Sequence, residues 1–545
     1  MGIPLGVHVA PAAREAVTLP PSRLADDALI AQLSAICGAE AVGLDGQSRL
    51  VHAAGRSYLD LLRLRSGDIG VAPDGVIWPS SEQQIAAVLR ACAAADCAVV
   101  PFGGGTSVVG GVTPSRGSHR AVISLDLRRL DRWLAVHPVS RVAVLQAGMT
   151  GTQAEAALTH HGLTLGHFPQ SCEYATIGGF AATRSAGQAS SGYGRFDDLV
   201  LGLRMVSPAG EIVVAAHPAS AAGPSIRELV LGSEGRLGVI TEVTVKVRPW
   251  PQQESYEAWS FAHFTEGIHA LRAMTQGGVA PDVARLSDHQ ETRVGMAMAS
   301  RGGAAETLGR RYLRARGHQE GCLLIAGWDS DALLGGARQA EARAIIRRHR
   351  GIALGASPGQ SWLRQRFHGP YLRDALLDAG VLVETVETAT SWANLARLHD
   401  AVASALDEAL RDGHTPLVGC HVSHVYPSGA SLYFTVLARS GNDPRARWLR
   451  AKEAACNAIL DNDGTITHHH AVGTDHLPYL EREIGIGGVA ALRAVAAQLD
   501  PTGIMNPGKL IPDAPAAVAS GRRPSRPRAQ PGLPGASAAR GRPRR

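Results

Sequence analysis

One stretch of the chain combines residue types and spacing that could bind an anion: Pro101, Phe102, Gly103, Gly104, Gly105, Thr106 and Ser107. Because glycine has no Cβ, the backbone there can adopt a positive φ, and a ligand can come within contact distance. Successive backbone N–H groups in such a turn can converge on an anion, and the two hydroxyls add donors. The stretch therefore predicts a cradle for a phosphate group.

This cradle differs from the common nucleotide-binding motifs. No Lys follows the glycines, as a P-loop requires, and 108–112 continues as an apolar, glycine-rich loop rather than opening a helix. Taken alone, the run is equally well a structural turn. Two later small-residue elements, 175–187 and 229–241, favour binding because they could form further walls around a flat cofactor.

A second group, His468, His469 and His470, has a residue type that binds metals or moves protons. Consecutive residues of a strand point to alternate faces, so three of them on a strand cannot converge on one ion. No carboxylate or Cys stands at ligand spacing beside them. The sequence therefore predicts no metal site. Tyr433, taken by itself, is typical of a core aromatic residue on a strand.

The elements that position the cradle are predicted to form a βαβ-like unit. Residues 71–79 have the pattern of strand, turn and strand, and Ser81 begins a capping signal for an amphipathic helix over 85–95. The apolar run 97–100 is typical of a buried strand, so the cradle is expected at its end. Further strands are predicted at the following positions: 121–125, 142–148, 199–207, 211–215 and 243–247, with the third and fourth forming a hairpin.

The composition of the chain changes after Pro251: glycine clusters become rare, and the sequence predicts long amphipathic helices that alternate with strands. Helices are predicted over 26–37, 58–64, 264–276, 304–316, 331–350 and 395–412, and strands over 417–425 and 430–438. We expect an α+β fold with these parts: a helical segment (1–70) that begins with a loose arm (1–25), a cofactor-binding domain (71–251), a cap or substrate domain (252–460), a return to the first domain (461–512) and a disordered basic tail (513–545).

Composition limits the classes of function. The net charge is +6, but 521–545 holds eight Arg and no acid, and subtracting these eight leaves −2 for the rest, which argues against nucleic-acid binding. The seven Cys are odd in number and scattered, which favours reduced thiols. No run of 18 apolar residues and no secretory signal is found, so we expect a cytoplasmic protein without a membrane span.

The three glycine-rich elements, in this order and followed by a different domain, resemble the FAD-binding fold of the vanillyl-alcohol oxidase (PCMH-type) family. Within that fold the sequence is most similar to the alkyldihydroxyacetonephosphate synthase family, from about residue 60 to about residue 511. The glycine elements are common to the whole fold. The synthase branch is indicated by three further segments: Tyr371-Leu372-Arg373-Asp374, Ser431-Leu432-Tyr433-Phe434 and the triple histidine.

The resemblance implies FAD as the cofactor, with its pyrophosphate on the first glycine loop and its flavin between the FAD-binding domain and the cap domain. That loop contains no His that could tether the flavin, so we expect FAD to be bound non-covalently. Besides the cradle, the implied cofactor-binding residues are Gln170, Ser171, Cys172, Glu173, Tyr174, Ala175, Thr176, Thr183, Arg184, Ser185, Ala186, Glu234, Gly235, Arg236, Leu237, Gly238, Val239 and Ile240.

The resemblance also implies a reaction of ether lipid synthesis. The acyl group of an acyl-dihydroxyacetone phosphate is exchanged for a long-chain alcohol without net oxidation, and the flavin N5 holds the three-carbon unit as a covalent adduct. Tyr433 matches the acid/base tyrosine of the family. At least one of His468, His469 and His470 is expected to face the flavin and to transfer protons with that tyrosine.

Two arginines match substrate-site positions of the family. Arg373 corresponds to the substrate-binding arginine, and its guanidinium suits a phosphate group through bidentate geometry. The alternative for this residue is a surface ion pair with Asp374 or Asp378. Arg285 corresponds to a position needed for activity, and we expect it to order the cap.

The chain departs from the family pattern at His421 and His424, where the family carries Arg and Gln. The alternative function is an FAD-dependent dehydrogenase or oxidase of a 2-hydroxy acid or alcohol. A third possible function is a flavoprotein that only binds ligands and catalyses no reaction. The intact glycine loops and the candidate catalytic residues argue against it. Expected partners are small-molecule lipid substrates and a second copy in a homodimer, and the basic tail either contacts a membrane surface or is inert.

Overall fold

The structure is a computed structural model that describes residues 17–512 apart from 26, 68, 301 and 331–334. The predicted arm over 1–16, the predicted tail over 513–545 and the start of the predicted 331–350 helix lie outside these ranges. The prediction of a loose arm is wrong for 17–25. Leu24 is fully buried there, and the Ser22 hydroxyl donates to the carbonyl oxygen of Asp74 at 2.6 Å.

The first sheet has four strands, in the order Val42–Gly43, Gly75–Ile77, Ala121–Asp126 and Cys97–Phe102. The last three run parallel. Helix Glu82–Ala94 begins where Ser81 accepts the N–H of Gln84, as the capping signal predicts. The first of the two strands predicted within 71–79 does not form. Instead, the Asp74 carboxylate accepts backbone N–H groups from Arg23 and Val122, which fixes a loop.

The second sheet has five antiparallel strands: Trp133–His137, Val142–Gln146, Val239–Lys246, Val200–Ser207 and Gly210–Val214. The last two form the predicted hairpin. Helix Ile177–Thr183, which was not predicted, packs its buried Ile177, Phe180 and Ala181 into the core of this sheet. A Cβ on Gly178 would lie 2.7 Å from that of Ala147, so glycine permits the close approach.

The third sheet has seven antiparallel strands: Ile352–Gly355, Gln253–Phe261, Cys322–Ser330, Val283–Ser287, Leu417–Tyr426, Gly429–Arg439 and Val381–Ser391. The core beside it draws mainly on four helices: Phe264–Gln276, Gly335–Arg348, Leu395–Leu410 and Pro444–Asp461. Side chains alternate across a strand, so Val386, Val422 and Phe434 enter that core while their neighbours face the opposite side. That opposite face carries the candidate catalytic residues.

The last part of the described chain returns to the first sheet. Met505 forms a parallel bridge with Val99, and the N–H of Asn506 donates to the carbonyl oxygen of Val99 at 2.8 Å. Helix Leu480–Leu499 precedes it and is broken at Gly485.

The remaining helices are shorter: Ala28–Cys37, Gly46–Val51, Tyr58–Ser66, Gly151–Thr159, Ser190–Tyr193, Phe196–Leu199, Ile226–Val230, His289–Ala299, Ala304–Ala315, Ser357–Gln365 and Gly369–Asp378. There are also 3-10 turns at Ala39–Ala41 and Leu477–Tyr479, and strands Leu163–Thr164 and Arg248–Pro249 pair with each other. Among the described helices, none has the length and apolar character needed to cross a bilayer.

Candidate active site

The glycine cradle begins where strand Cys97–Phe102 ends. Gly105 has φ +66°, and a Cβ on Gly104 would lie 2.0 Å from the carbonyl oxygen of Tyr174. The backbone N–H groups of residues 103–107 donate to no acceptor within the described ranges, and these residues are half-buried. The first glycine element therefore packs directly on the second and presents a run of free donors.

Glu234 ties the third glycine element to the end of the described chain. Its buried carboxylate accepts the N–H groups of Val472 and Gly473, both at 2.7 Å, and its carbonyl oxygen accepts from the Asn506 amide at 2.7 Å. Burial raises the pKa of Glu234 to about 7, although the two N–H donors and Lys509 oppose this. The segment that follows the triple histidine is thus fixed beside the cradle.

Several predicted cofactor-binding side chains point away from any ligand. Leu237, Val239 and Ile240 are buried in hydrophobic cores, and the buried Phe102 ring packs against His52, so these side chains are not free to contact a ligand. The guanidinium of Arg184 donates to the carbonyl oxygens of Leu231 and Glu228 and pairs with Asp197. Arg236 likewise donates to the carbonyl oxygen of Met505 at 3.0 Å. The guanidinium groups of Arg184 and Arg236 therefore connect loops of the protein to one another.

The other predicted members of the second element form two kinds of contact. Glu173 and Tyr174 are exposed, and the Tyr371 hydroxyl of the cap approaches the Glu173 carboxylate at 3.3 Å. Ser185 contacts Nε2 of the buried His167 at 3.1 Å, while Nδ1 of that ring has no hydrogen-bond partner. His167 was not predicted as a site residue. Its position three residues before Gln170 was the only feature of the sequence that pointed to it.

Tyr433 lies in a row that crosses three strands of the third sheet. The strand register pairs it with Glu387 on one side and with His421 on the other, so all three share one face. The Tyr433 ring stacks on His421 with centroids 5.0 Å apart, and on His469 with centroids 5.9 Å apart. Burial raises the pKa of Tyr433 to about 12. The phenol is therefore protonated at neutral pH.

The triple histidine lies in a bend rather than on a strand, so the argument from strand alternation does not apply. A carboxylate also joins it, contrary to the expectation from spacing. Glu387 accepts the backbone N–H groups of His468, His469 and His470 at 2.6, 3.2 and 3.0 Å, and the Thr467 hydroxyl at 2.5 Å. Burial would raise the pKa of Glu387, but the three histidines and Thr467 lower it well below its usual range.

Two further residues contact this histidine bend and were not predicted as site residues. The Tyr426 hydroxyl lies 2.6 Å from Nε2 of His468. His424 places a ring nitrogen within 4.8 Å of nitrogens of His468 and His469. Both are far from the histidines in sequence, because strand Gly429–Arg439 and helix Pro444–Asp461 lie between them.

Arg373 is held at the domain boundary by two contacts. Its guanidinium pairs with Glu384 at 3.3 Å and donates to the carbonyl oxygen of Arg56 at 3.0 Å, while its buried Nε has no hydrogen-bond partner. The alternative of an ion pair with Asp374 or Asp378 is wrong, because both carboxylates pair with Arg65. The Nε–H group of Arg373 is therefore a buried donor without a partner.

Arg285 forms a half-buried triad with Glu291 and His421. It donates to Glu291 and to Nε2 of His421 (3.0 Å), and Nδ1 of His421 donates to Glu291 at 2.9 Å. Burial would raise the pKa of Glu291, but His421 and Arg285 lower it to about 2. Because His421 stacks on Tyr433, the triad fixes one side of the tyrosine ring.

The cradle fits the pyrophosphate of a dinucleotide. A Cβ on Gly103 would lie 2.3 Å from the Thr176 hydroxyl, so the two elements leave room for backbone donors but not for a side chain. Free N–H groups on a glycine turn form a concave anion site. Residues 103–107 would hold the phosphates, and the second and third glycine elements would form the adjoining walls.

Comparisons with known proteins define the class. Residues 73–216 match the FAD binding domain family, and residues 250–510 match the family of FAD linked oxidases, C-terminal domain. A solved structure of p-cresol methylhydroxylase aligns with a TM-score of 0.67 at 13% identity, covering 90% of this chain and 98% of that one, which shows the fold alone. The protein is an FAD-dependent enzyme with the two-domain PCMH-type fold, as predicted.

Closer relatives define the family. The alkyldihydroxyacetonephosphate synthase of Trypanosoma brucei brucei is 31% identical over 511 residues, which are 92% of this chain and 83% of that protein. A solved structure of an alkyldihydroxyacetonephosphate synthase aligns with a TM-score of 0.81 at 28% identity, covering 93% of this chain and 90% of that one. The chain belongs to the alkyldihydroxyacetonephosphate synthase family, and the predicted resemblance is confirmed.

Proposed function

We propose that the protein exchanges the acyl group of an acyl-dihydroxyacetone phosphate for a long-chain alcohol, a step of ether lipid synthesis. The observation that carries this proposal is the grouping of Tyr433 and His469 on the cap face, with Arg373 nearby on the cap holding an unpaired guanidinium donor. FAD, when bound, supplies a nucleophilic ring nitrogen for the exchange.

Arg373 would bind the substrate phosphate. The guanidinium stays charged and offers planar donors that match phosphate oxygens. Glu384 and the carbonyl oxygen of Arg56 fix its orientation, and Nε remains free to donate. Burial raises the pKa of Glu384 to about 7, although Arg373 opposes this. Arrival of a phosphate dianion would therefore favour protonation of Glu384, which leaves the phosphate as the anionic partner of Arg373.

Tyr433 and His469 would move the protons. With its pKa raised by burial, the Tyr433 hydroxyl acts as a donor to a leaving or attacking oxygen. Burial lowers the pKa of His469 to about 3, although Glu387 opposes this, so its imidazole is neutral and can accept a proton. One group therefore gives a proton while the other takes one, as an exchange without net oxidation requires.

The test is anaerobic mixing of the purified holoenzyme with palmitoyl-dihydroxyacetone phosphate, followed by addition of hexadecanol. We expect palmitate release and loss of the oxidised flavin band, then recovery of the band and formation of the ether product. If the ester leaves the flavin unchanged while a panel of 2-hydroxy acids bleaches it, the protein is instead a dehydrogenase.

We further propose that FAD is bound non-covalently, supported by the absence of His, Cys and Tyr among cradle residues 101–107. Acid precipitation of the holoenzyme should then leave FAD in the supernatant.

A homodimer, a cytoplasmic location and contact with a membrane surface are proposals that rest on the sequence and on the lipid character of the substrates. Light scattering and sedimentation with anionic vesicles test the first and the last.

A further inference from the structure

We propose that His424, His468 and His469 form a binding site for a zinc ion. One ring nitrogen from each lies within 4.8 Å of the other two. Zinc binds imidazole nitrogen at about 2.0–2.1 Å, so three nitrogens on one tetrahedral ion lie roughly 3.4 Å apart. The nitrogens therefore have to approach one another by at most roughly 1.4 Å, which rotation of the side chains can supply. This inference goes beyond the proposed reaction, which requires no metal.

The two histidines of the bend already face each other with the atoms that a metal would use. Nδ1 of His468 lies 2.9 Å from Nδ1 of His469, so the two nitrogens share one proton in the metal-free protein. Nε2 of His468 contacts the Tyr426 hydroxyl at 2.6 Å. If that outer nitrogen carries the proton, the inner one is free to bind an ion. Outer hydrogen bonds of this kind orient most metal-binding histidines.

His424 is oriented in the same way from the third sheet. Its Nε2 lies 3.0 Å from the carbonyl oxygen of Gly187 and must donate, which leaves the lone pair on Nδ1. The hydroxyls of Ser423 and Ser431 contact Nδ1 at 2.9 and 3.2 Å. A hydroxyl can turn without moving the backbone, so Nδ1 can exchange these contacts for an ion.

The surroundings suit a divalent cation. Glu387 is buried, and its carboxylate lies 3.5 Å from Nδ1 of His469, so a negative charge stands beside the site. The donors are three imidazoles, which suit zinc and other late transition metals, whereas magnesium and calcium prefer oxygen ligands. Three protein ligands leave a fourth position for water. Because His469 also lies beside Tyr433, an ion here would compete with its role in proton transfer.

His424 distinguishes a metal site from a simple hydrogen-bonded histidine cluster. It lies on strand Leu417–Tyr426, whereas the other two histidines lie in the bend. The exposed pair His160 and His161 serves as the matched control, because it could bind zinc only adventitiously. The experiment compares the wild-type holoenzyme with His424→Gln and His161→Gln. After treatment with a chelator, each protein is titrated with zinc against a chromophoric chelator, and bound metal is counted by mass spectrometry.

We expect about one zinc per chain in the wild type and in His161→Gln, and at least tenfold weaker binding in His424→Gln. X-ray absorption at the zinc edge of the wild-type holoenzyme should show three imidazole nitrogens, which keeps the test valid if His424→Gln does not fold. Binding of less than 0.2 equivalents to the wild type, unchanged affinity in a folded His424→Gln, or a spectrum with one imidazole or none would overturn the proposal.

Discussion

The carboxylate of Glu387 accepts the backbone N–H of His468 at 2.6 Å, and the neighbouring N–H groups of His469 and His470 complete the contact. A strand residue thereby fixes a bend from a distant part of the chain. Because the register pairs Glu387 with Tyr433, one residue positions the histidines relative to the tyrosine. The geometry of the candidate site therefore depends on this buried anion.

Replacing Glu387 with Gln should loosen the histidine bend. The amide keeps the shape but loses the charge, and hydrogen bonds to charged groups contribute about 1.5–3 kcal/mol. We expect a melting temperature lower by several degrees and palmitate release at least tenfold slower, measured on the holoenzyme. Glu453→Gln, at an exposed position, is the control and should match the wild type. An unchanged rate in Glu387→Gln would mean that the bend is held by other contacts.

Replacing Tyr433 with Phe removes the hydroxyl and keeps the stacked ring. General acid–base groups typically contribute a factor of 10²–10⁴ in rate, so we expect a loss of that order in palmitate release. FAD content and melting temperature should not change, because the ring still packs between His421 and His469. Tyr312→Phe, at an exposed position, serves as the control. A rate within threefold of the wild type would remove Tyr433 from the mechanism.

The local patterns of the sequence predict much of this fold. The Ser81 cap, the helix Phe264–Gln276 and the hairpin of strands Val200–Ser207 and Gly210–Val214 follow from capping, helical periodicity and turn residues. Helix Ile177–Thr183 was missed because two glycines and a Thr favour a loop locally. Its burial against the second sheet, a tertiary effect, overrides that preference.

The candidate site was less predictable than the fold because its contacts span long sequence distances. Tyr433 and Arg373 were predicted from the resemblance to the family. Glu387 was not predicted as a site residue, since its role arises only when a bend 81 residues later supplies N–H groups. His424 lies on a strand whose alternation shows which residues share a face, but not which loop covers that face.

Replacing Arg373 with Lys should weaken binding of the substrate phosphate. Lysine keeps the charge but cannot hold Glu384 and the carbonyl oxygen of Arg56 while offering a third planar donor. We expect KM for palmitoyl-dihydroxyacetone phosphate to rise about tenfold, with a smaller change in kcat, in steady-state assays. Arg364→Lys, on the helix Ser357–Gln365, is the control. A fall in kcat with KM unchanged would contradict a phosphate-binding role.

Replacing Gly104 with Ala should abolish FAD binding, because the added Cβ would lie 2.0 Å from the carbonyl oxygen of Tyr174. The first and second glycine elements would have to separate, and the cradle would lose its shape. The ratio of flavin to protein absorbance measures the effect. Gly46→Ala is matched, since no atom lies within 4 Å of its Cβ position, and it should retain FAD. Full flavin content in Gly104→Ala would show that the two elements can move apart.

Replacing Glu291 with Gln should destabilise the holoenzyme in a manner that depends on pH. His421 and Arg285 hold the pKa of Glu291 at about 2 despite its burial, against an ordinary value of 4.5. A carboxyl whose pKa is lower in the folded state stabilises the fold above its unfolded pKa. A difference of this size corresponds to about 3 kcal/mol at neutral pH. That contribution is lost as the pH falls from about 4.5 toward 2.

The gap in melting temperature between the wild type and Glu291→Gln should therefore be constant from pH 7 to pH 5 and should narrow between pH 5 and pH 3. Thermal unfolding of both holoenzymes across this range measures it, with the exposed Glu320→Gln as the control that should show no gap. Because the triad also supports the tyrosine ring through His421, the variant should lose activity at pH 7 as well. A gap that widens toward low pH would mean that Glu291 is protonated in the folded protein, and the triad could not be an ion pair.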